Sequence, residues 1–460
     1  MPSELDRILN TYSGVEEVQR LFCIDNIEWS DELPYYLRDI RTPRNNLYPG
    51  ALRNVYKLEG KIGVIDFRTQ SESSFVCEAY LPIPKTLKAM QGEESVAKDS
   101  DEIFCSCARM CSLKDFGVDI KCVPFFMPDG KLSVCAQAAM KTIIAHLSRE
   151  FDAPNISMPQ IQKKISEGDP FGSDGLTAGM VHRGLSEISG KVLYYIGRAN
   201  PEIENSSEHK MDSSNLYAYI ESELPVYLVF KTEDLWWWGD QGDETYHAIV
   251  GIGHTLDENG RLDYFITHDV SYGPYRLLPV DTVNEKLCEA IVVLPPKVNV
   301  GFENAYLSMK SSVFEFNDLL KGKLKRDLTL NVREEIENGE VVFRSMLVSS
   351  TKVKEWYSDP TDFYGVRKTT RDVYISAELP TYSWLFELKE KGRRDNRNFA
   401  QILINATEGS PKPCLINFPD GALRYKNGVN EMVIGRSDAL EGDPGLRKDM
   451  IYEKWRRIQG

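Results

Sequence analysis

Two short apolar runs joined by a turn signal constrain the fold of this chain more than any other feature. Residues 246–253 read Tyr-His-Ala-Ile-Val-Gly-Ile-Gly, and residues 262–269 read Leu-Asp-Tyr-Phe-Ile-Thr-His-Asp. Between them, residues 257–260 (Asp-Glu-Asn-Gly) predict a β-hairpin, because an Asn-Gly pair readily adopts the left-handed conformations that tight turns need. We therefore expect an antiparallel sheet that brings His247 and Asp269 close together on adjacent strands.

A helix is predicted upstream of this hairpin, beginning near Ser133, whose hydroxyl can cap the first turn. Its apolar side chains recur at helical spacing and are Met140, Ile143, Ile144 and Leu147. Cys135 lies in the first turn, where unpaired backbone N–H groups and the helix dipole lower a thiol pKa. The same N–H groups can help to bind the oxyanion of an acyl-transfer intermediate. Cys135 is therefore a candidate nucleophile, with a packed structural cysteine as the alternative.

A cysteine nucleophile requires a neighbouring base, and the base requires a group that orients it. His247 can act as that base, and the carboxylate of Asp269 can orient its imidazole ring from the adjacent strand. His254 and His268 compete for the same role. His254 lies at the far end of its strand, and His268 points to the opposite face from Asp269 by strand alternation, so both rank below His247.

The length of 460 residues indicates several domains, because single hydrophobic cores stop growing at roughly 250–300 residues. Changes in composition divide the chain into an N-terminal domain (1–115), a central domain (116–296) and a C-terminal domain (297–460). The expected fold class is α+β. It comprises a nucleophile helix packed on an antiparallel sheet, flanked by two smaller domains of mixed helix and strand.

The flanking regions carry runs rich in β-branched and aromatic residues, which predict strands. In the N-terminal region these runs are Lys61–Arg68 and Ser74–Leu81, and in the C-terminal region they are Glu340–Val348 and Arg371–Ala377. The C-terminal region carries no recognisable catalytic motif. Recruitment of a partner protein is one role that they could serve.

Four segments of the central region together resemble the papain-like cysteine peptidases, and most of all the C39-like peptidase branch. The segments are 135–140 (Cys-Ala-Gln-Ala-Ala-Met), 224–229 (Leu-Pro-Val-Tyr-Leu-Val), 246–253, and 265–269 followed by Gly273. The resemblance covers residues 116–296 and implies a papain-like core. It also implies that Cys135 attacks a carbonyl carbon, His247 exchanges the proton and Asp269 orients the histidine, so that a peptide or protein amide bond is hydrolysed.

One position departs from the family pattern. The family places a glutamine that donates to the oxyanion shortly before the nucleophile, and Asp129 occupies that place here. An ionised aspartate only accepts hydrogen bonds, and Gln137 projects from a different side of the helix than Cys135. Losing one oxyanion donor can cost roughly 100- to 1000-fold in rate. Either a backbone group or another side chain binds the oxyanion, or the enzyme is weak or inactive.

Three consecutive tryptophans, Trp236, Trp237 and Trp238, come shortly before His247. They form either an aromatic cluster that covers the sheet or a substrate-binding wall, because tryptophan is enriched in recognition sites and loops beside a rigid site often carry recognition.

A second group of cysteines lies before the helix, at Cys105, Cys107, Cys111 and Cys122. The spacing differs from the usual zinc-binding pattern and no histidine lies near, so packed thiols are the expected role and a zinc site is the alternative. We expect no metal or other cofactor at the catalytic residues.

The charge and hydropathy of the chain bear on its partners and location. A net charge of −14 argues against nucleic-acid binding, which needs clustered lysine and arginine. No run approaches the roughly 20 apolar residues that cross a bilayer, and the N-terminus lacks a secretory signal pattern. We expect a cytoplasmic protein that acts on a peptide or protein, with no nucleic-acid or membrane partner.

Three other functions fit the same residues. The first is another thiol acyl transfer, of the transglutaminase or deamidase type, which uses the same Cys–His–Asp order. The second is a catalytically inactive papain-like module that binds peptides. In the third, Cys135 only packs and the domain is a scaffold.

Overall fold

The computed structural model of the 460-residue chain describes much of it, with gaps. The described residues are 8, 11–12, 15–16, 21–23, 51–59, 61–70, 73–88, 97–99, 103–113, 118–127, 135–154, 156, 176–187, 191–199, 210–232, 246–257, 262–324, 341–358, 368–390, 400–418, 421–426 and 429–434. They fall into two compact units. The first lies within residues 1–216 and 223–296, and the second within 217–222 and 297–460. The division into three domains stays a prediction.

The first unit contains an antiparallel sheet formed by the earlier part of the chain. Its strands are β1 (Val15–Glu16), β2 (Leu21–Cys23), β3 (Ala51–Leu58), β4 (Lys61–Gln70), β5 (Ser73–Tyr80) and β11 (Phe125–Phe126). Strands β4 and β5 confirm the two strands predicted in the N-terminal region. Two further strand pairs are β6 (Thr86–Lys88) with β7 (Ala97–Asp99), and β9 (Arg109–Leu113) with β10 (Val118–Cys122).

The second sheet of this unit carries the predicted hairpin. Its strands are β8 (Ile103–Phe104), β12 (Val192–Ile196), β13 (Val226–Lys231), β14 (Tyr246–Leu256), β15 (Leu262–Asp269), β16 (Gly273–Pro279) and β17 (Leu287–Val293). They lie in the order β12-β17-β13-β14-β15-β16, with β8 paired to β14. Strands β14 and β15 are antiparallel neighbours with Val250 opposite His268, as the turn signal between them predicted.

Helix α1 (Cys135–Glu150) packs against β13 and β14 of this sheet. Its predicted apolar stripe is fully buried, with Met140, Ile143 and Ile144 showing no exposed surface. The other described helices with residues in this unit are α2 (Ala178–Ser186), α3 (Ser213–Glu221) and α4 (Val280–Lys286). The helix and the hairpin therefore meet at one surface of the sheet.

The second unit is built on a meander of antiparallel strands. The strands are β18 (Val341–Ser349), β19 (Tyr382–Glu390), β20 (Ala400–Asn405), β21 (Pro413–Phe418), β22 (Gly421–Lys426) and β23 (Val429–Ile434), each paired with the next. Its helices are α5 (Phe302–Leu324), α6 (Ser350–Ser358) and α7 (Lys368–Ser376). Both units therefore mix helices with antiparallel sheets. None of the helices in the described ranges is long and apolar enough to cross a membrane.

The strand predicted at Arg371–Ala377 is wrong, because these residues form most of helix α7. Val373, Tyr374 and Ala377 are buried together in one apolar cluster, while Ile375 is exposed. That burial at positions i, i+1 and i+4 suits a helical face. The β-branched residues favoured a strand locally, and packing of the helical face overrode that preference.

Gly253 is needed where the end of β8 lies close beside β14, its antiparallel neighbour. A Cβ atom at this position would lie 2.6 Å from the carbonyl oxygen of Phe104 and 2.7 Å from the Cα of Cys105. Because both obstacles are backbone atoms, Gly253→Ala should lower the free energy of unfolding by about 1–3 kcal/mol, as overpacking does. Urea denaturation measures this loss.

Gly179→Ala in helix α2 is the matched control, since its Cβ would have Thr177 Oγ1, at 3.9 Å, as nearest neighbour. Alanine is the better helix former, so this variant should be neutral or up to about 1 kcal/mol more stable. Equal losses in the two variants would contradict the steric explanation.

Two buried histidines, His146 and His268, should make the protein sensitive to acid. Burial lowers the pKa of each to about 3, with the nearby charges of Arg109 and Arg149 adding to the effect at His146. In the unfolded chain a histidine has a pKa of about 6.5. Below that pH, both side chains are protonated in the unfolded chain but stay neutral in the folded protein, so acid favours unfolding. Each histidine should therefore lower the unfolding free energy by about 1.4 kcal/mol per pH unit as the pH falls from about 6.5 towards 3.

His268→Phe isolates this contribution, because neither His268 ring nitrogen has a hydrogen-bond partner among the described residues. Between roughly pH 4 and 6, the slope of unfolding free energy against pH should be about 1.4 kcal/mol per unit shallower than in the wild type. Above pH 7.5, the difference between the two proteins should be constant. Identical slopes in acid would show that His268 is protonated in the folded protein.

Candidate active site

Cys135 is the first residue of α1 and carries a free thiol. It is only partly buried, whereas six other cysteines whose side chains the structure describes are buried: Cys105, Cys107, Cys111, Cys122, Cys288 and Cys414. The alanines that follow Cys135 in the first turn are buried and hold the end of the helix against the sheet. The helix therefore presents one accessible thiol at its N-terminal end.

His247 and Asp269 are joined by a buried hydrogen bond. Nε2 of His247 lies 2.9 Å from Oδ1 of Asp269, and each side chain is only 2% exposed. His247 lies near the start of β14, and Asp269 ends β15, so the antiparallel pairing brings them together. A buried carboxylate needs such partners, and Oδ1 also accepts the backbone N–H of Ser271 at 2.7 Å.

The imidazole of His247 also forms a hydrogen bond with the thiol of Cys135. Because Nε2 is engaged by Asp269, Nδ1 is the ring nitrogen left for the sulfur. Thiol, imidazole and carboxylate thus form one continuous chain. The structure brings Cys135, His247 and Asp269 together, as the sequence predicted.

The surroundings of Cys135 favour its thiolate. Burial by itself would raise the pKa of the thiol, but the hydrogen bond from His247 and the positive charge of its imidazolium outweigh burial. Backbone N–H groups of Ala248 and Ala136 also point at the sulfur and add to the effect. The net result is that the pKa of Cys135 is lowered from its ordinary value.

The charged form of His247 is favoured in turn. Burial would lower the pKa of the imidazole, but the negative charge of Asp269 and its hydrogen bond, with a smaller contribution from Cys135, raise the pKa to about 10. The electrostatics therefore favour the imidazolium of His247 and the thiolate of Cys135 together. Such a pair can supply both a nucleophile and a proton donor for acyl transfer.

The two competing histidines lie elsewhere. His254 is fully buried and stacks on the ring of Phe104 with 5.3 Å between ring centroids. His268 packs edge-on against Phe125 and Tyr275 and does not join the chain that contains Asp269. Of the three histidines, His247 is the one that the structure places against both Asp269 and Cys135.

Some of the predicted site residues lie outside the described part of the chain. These are the candidate substrate-binding residues Trp236, Trp237 and Trp238, the capping residue Ser133, and Asp129 at the family's glutamine position. Gln137 is described and is buried within α1.

Sequence reasoning missed two contributions to the site. The backbone N–H of Ala248 reaches the thiol from the histidine strand, and only the residue's position directly after His247 could have signalled it. Arg276 has a favourable electrostatic interaction with Asp269 from the next strand, β16. No local pattern marks Arg276, because its position depends on how β15 and β16 pair.

The second group of cysteines has a different character. Burial raises the pKa of Cys105 to about 12 and the pKa values of Cys107 and Cys122 well above the ordinary range. Cys111 alone has a lowered pKa, through a hydrogen bond with Cys122 and, despite burial, the guanidinium of Arg149, which donates to its sulfur at 2.8 Å. Within the described ranges, no three histidine, cysteine or acidic side chains are grouped as metal ligands.

Among comparisons with known proteins, the solved structures show a similarity to this chain. No protein-family model matches the chain, and no curated protein matches it. Among solved structures, the chain is similar to a crystal structure of a provisionally named C39-like peptidase from Bacillus anthracis. The match covers 41% of this chain and 98% of that one, with 11% sequence identity and a TM-score of 0.26.

Proposed function

We propose that this protein is a cysteine peptidase that hydrolyses peptide or protein amide bonds, with Cys135, His247 and Asp269 as its catalytic residues. The observation that carries this proposal is the continuous hydrogen-bonded chain from thiol to imidazole to carboxylate. A structural cysteine needs no such partners. Here a partly exposed thiol with a lowered pKa meets an oriented histidine.

The proposed reaction follows from the two charges. The Cys135 thiolate attacks the carbonyl carbon and forms a tetrahedral intermediate, whose negative charge resides on the former carbonyl oxygen. His247 then gives its proton to the leaving amine, and an acyl-enzyme remains. Water, deprotonated by the neutral His247, attacks the acyl-enzyme and releases the acid and the thiolate. Asp269 keeps the ring oriented throughout.

The oxyanion would be bound by backbone donors at the head of α1. The first-turn N–H groups of a helix have no partner within that helix, and they are directed towards developing negative charge. The N–H of Ala136 already reaches the sulfur of Cys135, so this end of the helix faces the reacting atoms. A backbone donor of this kind would compensate for the family's missing glutamine.

The wider assignment rests on the arrangement around these residues. A helix that carries the nucleophile and packs on an antiparallel sheet that carries the base is the expected papain-like core. The tryptophans Trp236, Trp237 and Trp238 would form a wall of the substrate site in this scheme. The three-domain division, the cytoplasmic location and a partner protein for the flanking regions stay predictions.

Selective alkylation tests the thiolate–imidazolium pair. With limiting iodoacetamide, Cys135 should be labelled well below the ordinary thiol pKa of about 8.5, because His247 stabilises the thiolate. In His247→Ala the labelling midpoint should rise, since burial is then opposed by the backbone N–H groups of Ala248 and Ala136 without the larger contribution of His247. Mass spectrometry locates the label across a range of roughly pH 4–9.

Other cysteines provide internal controls in the same experiment. The thiols of Cys105 and Cys414 have a pKa raised to about 12 by burial and should stay unlabelled throughout the range. Cys111 is the stringent control, because its pKa is lowered but its side chain is buried, so it should react more slowly than Cys135. An inert Cys135, or even labelling of all thiols, would contradict the enzyme proposal.

Hydrolysis of a peptide mixture tests the activity itself. Cys135→Ala should abolish cleavage, with a loss of about 10⁴-fold or more, because the nucleophile is removed. Cys111→Ala, which removes the other thiol with a lowered pKa, is the matched control and should leave the rate unchanged. New peptide termini, detected by mass spectrometry, measure cleavage.

Other outcomes of that assay identify the alternative functions. Ammonia release without new termini would indicate a deamidase or transglutaminase. Tight peptide binding without any reaction would indicate an inactive binding module. Either result, with Cys135 still selectively alkylated, would overturn the peptidase assignment while leaving the reactive thiol in place.

A further inference from the structure

The strand that follows Asp269 contains a β-bulge beside the candidate site. In the pairing of β15 with β16, Thr267 lies opposite Arg276 and Asp269 lies opposite Gly273. Two steps along β15 therefore match three steps along β16, so β16 holds one extra residue. Bulges of this kind bend a strand and redirect its side chains, and they are frequent next to active sites.

The backbone within this bulge is unusual for the residue that it holds. Tyr275 has a φ angle of 54°, in the left-handed region that bulky residues rarely adopt. Its buried hydroxyl donates to the carbonyl of Leu81 at 2.7 Å and accepts the backbone N–H of Val123 at 3.3 Å. These bonds fix Tyr275 in place, so the bulge and the residue after it, Arg276, have a defined position.

Arg276 fastens the turn between β15 and β16. Its Nε donates to the carbonyl oxygen of Tyr272 at 2.7 Å, and Nη2 donates to the same oxygen. The backbone N–H of Tyr272 in turn donates to the carbonyl of Asp269, over a longer 3.3 Å. Gly273 closes the turn with a φ angle of 108°. The guanidinium thus holds a turn whose internal hydrogen bond is weak.

This turn sets the orientation of the Asp269 carboxylate. The N–H of Ser271, within the turn, donates at 2.7 Å to Oδ1, the same oxygen that accepts from His247. A shift of the turn would move that donor and release the carboxylate from the histidine. Arg276 also has a favourable electrostatic interaction with Asp269, so the charges alternate from thiolate to imidazolium to carboxylate to guanidinium.

We propose that Arg276 is a positioning residue for Asp269, and that its hydrogen bonds to the Tyr272 carbonyl hold the carboxylate against His247. Its importance for catalysis rests on the proposed peptidase function. The positioning itself is a property of the unliganded protein and can be measured without any substrate. Arg276 binds the Tyr272 carbonyl and interacts electrostatically with Asp269, so its effect on the reaction is transmitted through Asp269.

Two effects of removing Arg276 have opposite signs, which makes the proposal testable. If Arg276 acted only as a distant positive charge, its removal would relieve repulsion of the His247 imidazolium and raise the pKa of His247. If Arg276 positions Asp269, its removal loosens the His247–Asp269 hydrogen bond. Burial would then dominate and lower the pKa of His247.

The experiment is an NMR titration of histidine-labelled protein carrying Arg276→Gln. The chain has six histidines, and the His247 signal is the one lost in His247→Gln. The pKa of His247 is expected to fall by about one unit or more in Arg276→Gln, because the oriented carboxylate is lost. Arg183→Gln, at an exposed arginine of α2, is the matched control and should leave the His247 titration unchanged.

Arg276→Lys provides the conservative variant. Lysine keeps the charge but cannot place two donors of a planar fork on one carbonyl oxygen, so the fall in the pKa of His247 should be smaller than in Arg276→Gln. If Arg276→Gln fails to fold, Arg276→Lys alone tests the proposal, and a measurable fall in the pKa of His247 is still expected. In a folded variant, an unchanged or raised pKa of His247 would overturn the proposal.

Kinetics separate this inference from the peptidase proposal. On a cleaved peptide, Arg276→Gln should lower kcat by about 10- to 100-fold with little change in KM, because a misplaced catalytic group slows the chemical step. If the wild type cleaves no peptide but Arg276→Gln still lowers the pKa of His247, the positioning role of Arg276 stands and the peptidase function is refuted. If the wild type is active and Arg276→Gln has an undiminished kcat, the positioning role of Arg276 is refuted while the peptidase function stands.

Discussion

The hydrogen bond between His247 and Asp269 is the interaction on which the candidate site depends. Both side chains are almost completely removed from water, and neither charge could persist there unpaired. Once the carboxylate is fixed, the imidazole can remain charged in a buried place, and the charged imidazole in turn stabilises the Cys135 thiolate. The reactivity of the Cys135 thiol therefore depends on Asp269, which acts on it through His247.

The fold supplies this interaction through several elements with distinct tasks. Helix α1 brings the thiol and free backbone donors, while β14 contributes both His247 and the N–H of Ala248. The end of β15 contributes Asp269, and the bulged start of β16 fastens the turn behind it. A catalytic group on a regular element is held more rigidly than one on a loop, and here the orienting carboxylate lies beside a turn. That is why the hydrogen bonds of the turn matter.

Much of the site could be predicted because the relevant signals are local. Helical spacing of the apolar residues after Cys135 predicts a buried helix that begins at the thiol. Those residues include Met140, Ile143 and Ile144. The hairpin followed from the Asn-Gly turn signal, and side-chain alternation separated Asp269 from His268. Local signals failed at Arg371–Ala377, where β-branched residues suggested a strand and packing of Val373 and Tyr374 produced a helix.

The sequence by itself determined the elements of the site, namely a helix headed by Cys135 and an antiparallel hairpin carrying His247 and Asp269. These follow from turn chemistry and from hydrophobic periodicity, which act between residues close in the chain. Only the tertiary structure decided that β8 pairs with β14 beside Gly253, that β16 carries a bulge, and that Arg276 interacts electrostatically with Asp269. Strand order, register and bulges depend on contacts between residues distant in the chain, and no local pattern encodes those contacts.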